Sequence, residues 1–403
     1  MNIENGIKSS PSKYRFAKSK SIQKSSLEAL MVNAFQLVQN AHENEDFGFG
    51  YKTLLEVEEK AVKISSHQGV QDQIKYEKCR LFWAWGQKEA ATKQLDDLIK
   101  RLRGDSSTDS LLPDALSLLG SWMWQLRSHS SSAILDDYFL ESIRLYQEVA
   151  ATTNRITHDL SEAYIRLATF CDEQYTVIVN YMNSKDYEDK QAILQEMSHD
   201  HQMMKEERVK GTTSVILERN SNLDKREMTA KLEERNNYLT LALENYAKAL
   251  KNSEKWDLKI YRWISLWFAN PDNAAANQIV QEAEIPDHKY VGLLYQLCAR
   301  MVTAEPTGEF FHILENLILG CGRQHPYHTL PIILALVNSN LDEVIEKNAK
   351  VEENPRAKVA KKVLQKLKQS RVEINDIAKK TELLSFALIQ LAYKKPENDK
   401  RNR

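Results

Sequence analysis

Between Ser26 and His42, apolar residues fall at Leu27, Leu30, Met31, Ala34, Leu37, Val38 and Ala41. This three-and-four spacing lines one face of an α-helix. The rhythm recurs along most of the chain, interrupted by short polar breaks at residues 43–50, 65–69, 104–109, 127–132 and 152–157. No strand-like alternation bounded by hairpin turns occurs. Helix pairs that each carry one apolar face bury those faces by stacking on the next pair. A strict 34-residue consensus is absent, and only degenerate versions such as LFWAWGQKEAATKQLDDLIKRL (residues 81–102) are found. The pattern therefore predicts an all-α fold, an irregular α-solenoid of TPR/HEAT-like helix pairs with a long central helical hairpin.

The hairpin comes from a change of rhythm. Leu160, Tyr164, Leu167, Cys171, Gln174, Ile178 and Tyr181 step alternately by four and three, as do Leu239, Leu243, Tyr246 and Leu250. That is the seam of a coiled coil. Residues 199–237 between the two seams are highly charged and contain no proline. The expected tip lies near Arg219–Asp224, with arms of about 40 residues extending on the order of 60 Å. Such a projection either reaches a partner or stands as a solvated strut. After Pro271 the short-helix rhythm returns, with boundaries marked by Pro286, Pro306 and Pro326, because the residue before a proline resists the α region. The expected organisation is a basic disordered arm over 1–25, N-terminal helical repeats over 26–158, the hairpin over 159–252, C-terminal repeats over 253–350 and a basic helical tail over 351–403.

Composition agrees with helices. The 403 residues include only 12 Gly and 9 Pro, too few for the turns and phosphate loops of a doubly wound α/β enzyme. Lys and Arg total 55 against 56 Asp and Glu, a formal net charge of −1, so no global field recruits nucleic acid or an acidic substrate. Cys79, Cys171, Cys298 and Cys321 are widely separated, as expected of reduced thiols. Apolar runs such as residues 330–337 are too short to cross a membrane. The first 26 residues are Ser/Lys-rich without an apolar signal core. A soluble intracellular chain is expected. Residues 356–403 hold 14 Lys/Arg against 5 Asp/Glu. Such a tail can bind nucleic acid or an acidic partner, but a solvated helix face is the commoner role, and no direct nucleic-acid contact is expected.

Several residues imitate chemical sites. Asp46-Phe47-Gly48 spells the magnesium-binding triplet of protein kinases, and Gly48-Phe49-Gly50 resembles the start of a glycine loop. A kinase places that Asp after its nucleotide loop, ion-pairing Lys and catalytic Asp, none of which precedes Asp46. The segment reads as a glycine-rich interhelical turn. Cys321, His325 and His328 have metal-ligand character, but a fourth ligand and a paired motif are missing. Pro326 instead suits the first turn of a helix. His199-Asp200-His201 belongs to the charged, solvated hairpin. Trp256, Trp263 and Trp267 share one helical face and read as core. One member each of Trp83/Trp85 and Trp122/Trp124 is expected to face a neighbouring repeat. No catalytic, cofactor-binding or metal-binding residue is assigned.

Two segments go beyond generic helices: LATFCDEQYTVIVNYMNSKDYEDKQAILQ (residues 167–195) and HPYHTLPIILALVNS (residues 325–339). Both resemble the FAT region of phosphatidylinositol-3-kinase-related kinases, specifically the ATM (ataxia-telangiectasia mutated) branch. Supporting matches are FWA…LIKRL within 82–102, LGSW at 119–122, WISLWFAN at 263–270 and LYQLCARM at 294–301. The resemblance runs collinearly through most of residues 55–345. It implies a helical-repeat clamp that wraps a kinase domain, sets its activity and helps form a homodimer, with other protein partners, in the nucleus. The family phosphorylates Ser/Thr-Gln sites in checkpoint and repair proteins after DNA double-strand breaks. No ATP-binding lysine, catalytic Asp loop or metal-binding Asp can be carried over, because no position here matches them. The expected role is a non-catalytic regulatory segment truncated before the kinase domain, without cofactor; the rival is a free-standing helical-repeat adaptor.

Overall fold

The computed structural model describes residues 30–64, 68–104, 111–153, 158–206, 212–303, 308–339 and 355–393, and every regular element among them is a helix. The chain packs as two compact units, one ending at Arg166 and the other beginning at Leu167.

The first unit holds α1 (residues 30–43), α2 (Phe47–Ile64), α3 (Gln68–Ala84), α4 (Lys88–Gly104) and α5 (Leu111–Gln125). A short α6 (Ser131–Ile134), a π-helical turn over Leu135–Leu140 and α7 (Glu141–Thr153) follow. From α2 onward each long helix packs on the next, the nearest-neighbour stacking of a solenoid. Ala34, Val38 and Ala41 are buried on α1, whereas Leu37 sits off that face, exposed. Leu27 lies outside the described residues.

Three breaks use one device. Helices α1, α3 and α5 end with Glu45 (φ 58°), Gly86 (φ 85°) and Arg127 (φ 51°) in the left-handed region. At each, that residue's N–H and the next N–H reach back to two carbonyls of the last turn: Gly86 N to Trp83 O at 3.1 Å and Gln87 N to Phe82 O at 2.9 Å. This pairing satisfies carbonyls that a helix end otherwise leaves orphaned. New helices start on side-chain caps. Asp46 Oδ1 accepts the Phe49 N–H at 3.1 Å, and Ser130 Oγ accepts the Ala133 N–H at 3.3 Å.

Burial on α4 falls at Ala91, Leu95, Leu98, Ile99 and Leu102, with Glu89 in its first turn and Arg101 and Arg103 in its last, charges that suit the helix dipole. These apolar residues join Leu111, Leu116 and Trp122 in one cluster. The π turn lies against Gly120, where a Cβ would stand 2.8 Å from the Cβ of Tyr138; only glycine admits that approach.

The second unit takes α8 (His158–Met182) from Leu167 onward, then α9 (Lys185–Glu206), α10 (Thr212–Asn252), α11 (Lys259–Phe268) and α12 (Ala274–Glu282). A 3₁₀ turn over Asp287–Leu293 leads to α13 (Leu294–Thr303), α14 (Glu309–Gln324), α15 (Pro326–Val337), α16 (Pro355–Ser370) and α17 (Val372–Tyr393). The expected hairpin needs two corrections. Its first arm is not continuous: α8 stops at Met182, and Ser184 starts α9 with its Oγ accepting from Tyr187 N at 3.4 Å. Its tip is not at Arg219–Asp224, which lies inside α10, a single helix of 41 residues. Asn220-Ser221-Asn222 has the composition of a turn, but Ser221 is buried, and the packed helix overrides the local preference.

Most of the seam is where the spacing put it, although Gln174 is only half-buried and Tyr181, the last position on α8, is exposed. Leu167, Cys171 and Ile178 on α8 and Leu239, Leu243, Tyr246 and Leu250 on α10 are buried. Ala168, Phe170 and Tyr175 are buried as well, so α8 is enclosed on more than a two-helix seam. At the far end of α10, Lys289 donates to the carbonyls of Leu250 (2.6 Å) and Ser253 (2.9 Å) and pairs with Asp257 at 2.7 Å. A cation at a helix C-terminus meets both the dipole and its orphan carbonyls. Pro286 and Pro326 mark element boundaries as expected, and Pro306 lies outside the described residues.

Candidate interaction surface on the helical hairpin

Where α8, α10 and α11 meet, Asp172 is 7% exposed and holds a bidentate pair with Arg262, Nε at 2.8 Å and Nη2 at 2.6 Å. The Tyr246 hydroxyl donates to the same carboxylate at 3.2 Å. Fork-on-carboxylate geometry is the strong form of an ion pair. The hydrogen bond to Asp172 raises the Arg262 pKa; burial first, then the Asp172 charge, raises that of Tyr246. Beside it, Asn270 Nδ2 donates to the Tyr175 hydroxyl at 2.8 Å, and Trp263 Nε1 donates to Leu243 O at 3.0 Å. The buried polar groups of this node are answered from inside the fold, so it fixes the root of the hairpin. Periodicity gave no hint of it beyond a carboxylate one residue past the seam position Cys171.

Further along, α8, α9 and α10 line an open cavity of about 640 Å³, of the size that accepts a small molecule or a partner side chain. Val177, Ile178 and Met228 form its apolar wall. Tyr181 and Tyr187 meet edge to face across the α8–α9 break, centroids 5.3 Å apart at 71°. Its charges are matched: Lys190 pairs with Glu227 at 2.9 Å and Lys231 with Glu234 at 2.7 Å. Ile193, Leu223 and Leu232 are exposed on the same hairpin. An apolar floor with a neutral rim fits an apolar anchor better than a charged substrate. It contains no nucleophile paired with a base.

The imitated sites dissolve into structure. Asp46 is spent as the cap of α2, and Gly48 and Gly50 lie in that helix's first turn. A Cβ on Gly50 would stand 3.2 Å from Leu81. Cys321 is buried on α14, its thiol 3.6 Å from the Asp287 carbonyl. His325 joins α14 to α15, where Pro326 opens the helix; the His325 and His328 rings lie 6.4 Å apart. Among the described residues no group of three His, Cys, Asp or Glu could hold a metal ion. His199 is exposed, while the side chains of Asp200 and His201 lie outside the described set. Trp263 and Trp267 are core; Trp256 lies in the turn before α11 rather than on its face. Trp83 and Trp122 each face the neighbouring repeat and stack on one another.

No family model matches the chain. Serine-protein kinase ATM of Sus scrofa is 31% identical over 281 residues, covering 67% of this chain and 9% of that protein. Serine/threonine-protein kinase ATM of Arabidopsis thaliana is 25% identical over 287 residues, 66% of this chain and 7% of that protein. Among solved structures, the FAT and kinase domain of CtTel1 superposes with a TM-score of 0.72 at 19% identity, over 92% of this chain and 24% of that one. The complete CtTel1 dimer with C2 symmetry gives 0.71 at 19% identity, over 94% and 13%. The chain thus spans a small part of the proteins it matches.

Proposed function

Because this chain belongs to the ATM/Tel1 branch of the phosphatidylinositol-3-kinase-related protein kinases and has the helical fold of their FAT region, we propose that it serves as a non-catalytic regulatory scaffold in DNA double-strand-break checkpoint signalling. It holds a serine/threonine kinase domain, sets its activity and contributes to a nuclear homodimer. The observation that carries this reading is the 31% identity to pig ATM across two thirds of the chain. The structurally similar CtTel1 forms a dimer with C2 symmetry, which supports the homodimer. The fold supports the scaffold physically as well. Stacked helix pairs transmit strain through close packing, and Asp172, held by Arg262 and by Tyr246, ties three helices at the hairpin's root.

A second reading, a free-standing helical-repeat adaptor, rests on the hairpin cavity with its apolar floor and neutral rim. The two separate in one experiment. The purified full chain is mixed with the kinase domain of the pig relative, and the mixture is examined by size-exclusion chromatography with light scattering. Co-elution with that domain supports the scaffold. A chain that ignores the domain yet loses a partner protein on Val177→Asp substitution supports the adaptor.

A further inference from the structure

Helix α16 carries Arg356, Lys358, Lys361, Lys362, Lys366 and Lys368, Arg371 follows it, and no Asp or Glu occurs from Pro355 to Arg371. The packing fixes which way this charge points. Ala357, Ala360, Val363, Leu364 and Leu367 are buried as the helix packs on α14 and α15. Contact there is close enough that a Cβ on Gly322 would lie 2.6 Å from Leu367. The cations therefore face outward, and Lys358, Lys362 and Arg371 are exposed. Two other cations are answered by neighbouring carboxylates, Lys366 by Glu315 at 2.7 Å and Lys368 by Glu382 at 2.6 Å. Lys358, Lys362 and Arg371 have no ion-pair partner among the described residues. Along the chain, Glu352 and Glu353 precede this run and Glu373 and Asp376, early in α17, follow it. In a protein of net charge −1, this is a local field and not a global one.

The chemistry of the face selects its partner. Its outward positions 358, 361, 362, 365, 366 and 369 are Lys or Gln throughout. An acidic peptide draws most of its affinity from an apolar or aromatic anchor seated in a pocket, and this row offers neither. A phosphate backbone needs only mobile cations, which release the counterions condensed on the polyanion. Five of the seven cations are lysines, point charges without the bidentate fork that reads a base edge, so contact along this row is largely blind to sequence. We propose that the outward face of α16 is a sequence-independent binding surface for the phosphate backbone of double-stranded nucleic acid. It is independent of the scaffold role.

The test uses the full chain and a fluorescein-labelled random 30-base-pair DNA duplex, read by anisotropy from about 50 to 200 mM salt, a range over which backbone contacts weaken strongly. The expected result is binding at low salt with a log–log slope of roughly −3 or steeper, since each neutralised phosphate contributes about −0.9. The Lys358→Glu/Lys362→Glu/Arg371→Glu variant should bind at least tenfold more weakly, with a flatter slope. A Lys52→Glu/Lys60→Glu/Lys93→Glu variant, with the same change of net charge on α2 and α4, should bind within twofold of wild type. Circular dichroism checks helicity, and Gln substitutions at the same three α16 positions replace the Glu variant if it misfolds. Absent binding at low salt, equal weakening by both sets, or binding of a polyglutamate peptide in preference to the duplex overturns the proposal.

Discussion

Trp83 of α3 lies flat on Trp122 of α5, ring centroids 4.5 Å apart and planes 2° from parallel. Helix α4 adjoins both, so the stack closes the cluster around Leu95 and Leu98. Trp122 is 3% exposed, whereas Trp85, stacked on Phe47 at 6.3 Å, is 44% exposed. Trp122→Ala should cost about 3–5 kcal/mol, as large-to-small changes in a core do, and Trp85→Ala much less. Urea unfolding measures both. The near-ultraviolet circular dichroism of the paired indoles should vanish in Trp122→Ala and persist in Trp85→Ala.

The hairpin seam makes a second contrast. Ile178 is buried, 4% exposed, and Ile178→Asp places an unpaired charge there at a cost of several kcal/mol. Lys225 is exposed and donates to Ser198 Oγ at 3.2 Å; Lys225→Ala should stay within about 0.5 kcal/mol of wild type. Equal losses in denaturant melts would contradict the assignment of these two faces.

The left-handed helix ends give a third. Glu45 and Arg127 hold positive φ without being glycine, a conformation that costs an L-residue roughly 1–2 kcal/mol. Arg127→Gly should therefore leave stability unchanged or raise it by up to about 1 kcal/mol, the residue's gain being offset by glycine's unfolded-state entropy. Gly86→Ala should lower it, although a Cβ there meets nothing within 4 Å. Thermal melts of both variants decide the matter, and a stabilising Gly86→Ala would contradict it.

These ends also explain what was legible in the sequence. Glu45 and Arg127 sit in breaks that polar composition alone reveals, and the buried seam from Leu239 to Leu250 follows from its four-three spacing. Asn220-Ser221-Asn222 misleads because its composition is that of a turn, whereas burial of Ser221 holds it in helix. The Asn183-Ser184 break is the opposite case, since the same kind of residues there do end a helix. Local composition is alike in the two places, and tertiary packing decides between them. The Asp172–Arg262 pair, 90 residues apart in sequence, lies beyond any periodic reading.

Alkaline pH probes the core. Burial pushes the thiols of Cys79, Cys298 and Cys321 up from 9.0 to about 12, and that of Cys171 up as well. A thiol kept neutral in the fold retains its proton after the unfolded chain has lost it. Stability should thus be independent of these groups below about pH 8.5, then fall by about 1.4 kcal/mol per pH unit for each thiol. Dithionitrobenzoate at pH 8 should find no fast-reacting thiol in the native protein and four in guanidinium. Rapid native labelling would contradict the buried placement.

As a regulatory scaffold, the chain should set phosphoryl transfer without performing it. Transfer is mostly positioning and electrostatic stabilisation by a phosphate loop, a lysine, a catalytic Asp and metal-binding carboxylates. Asp46, the one residue in kinase-like sequence, is occupied in capping α2. The decisive measurement is phosphorylation of a Ser-Gln peptide under titrated Mg-ATP, with the chain alone, its Asp46→Ala variant, and each mixed with the pig relative's kinase domain. No turnover is expected from either chain alone, and both forms should change the turnover of the kinase domain equally. Turnover by the chain alone that disappears in Asp46→Ala would contradict the regulatory role, as would a kinase domain indifferent to the chain.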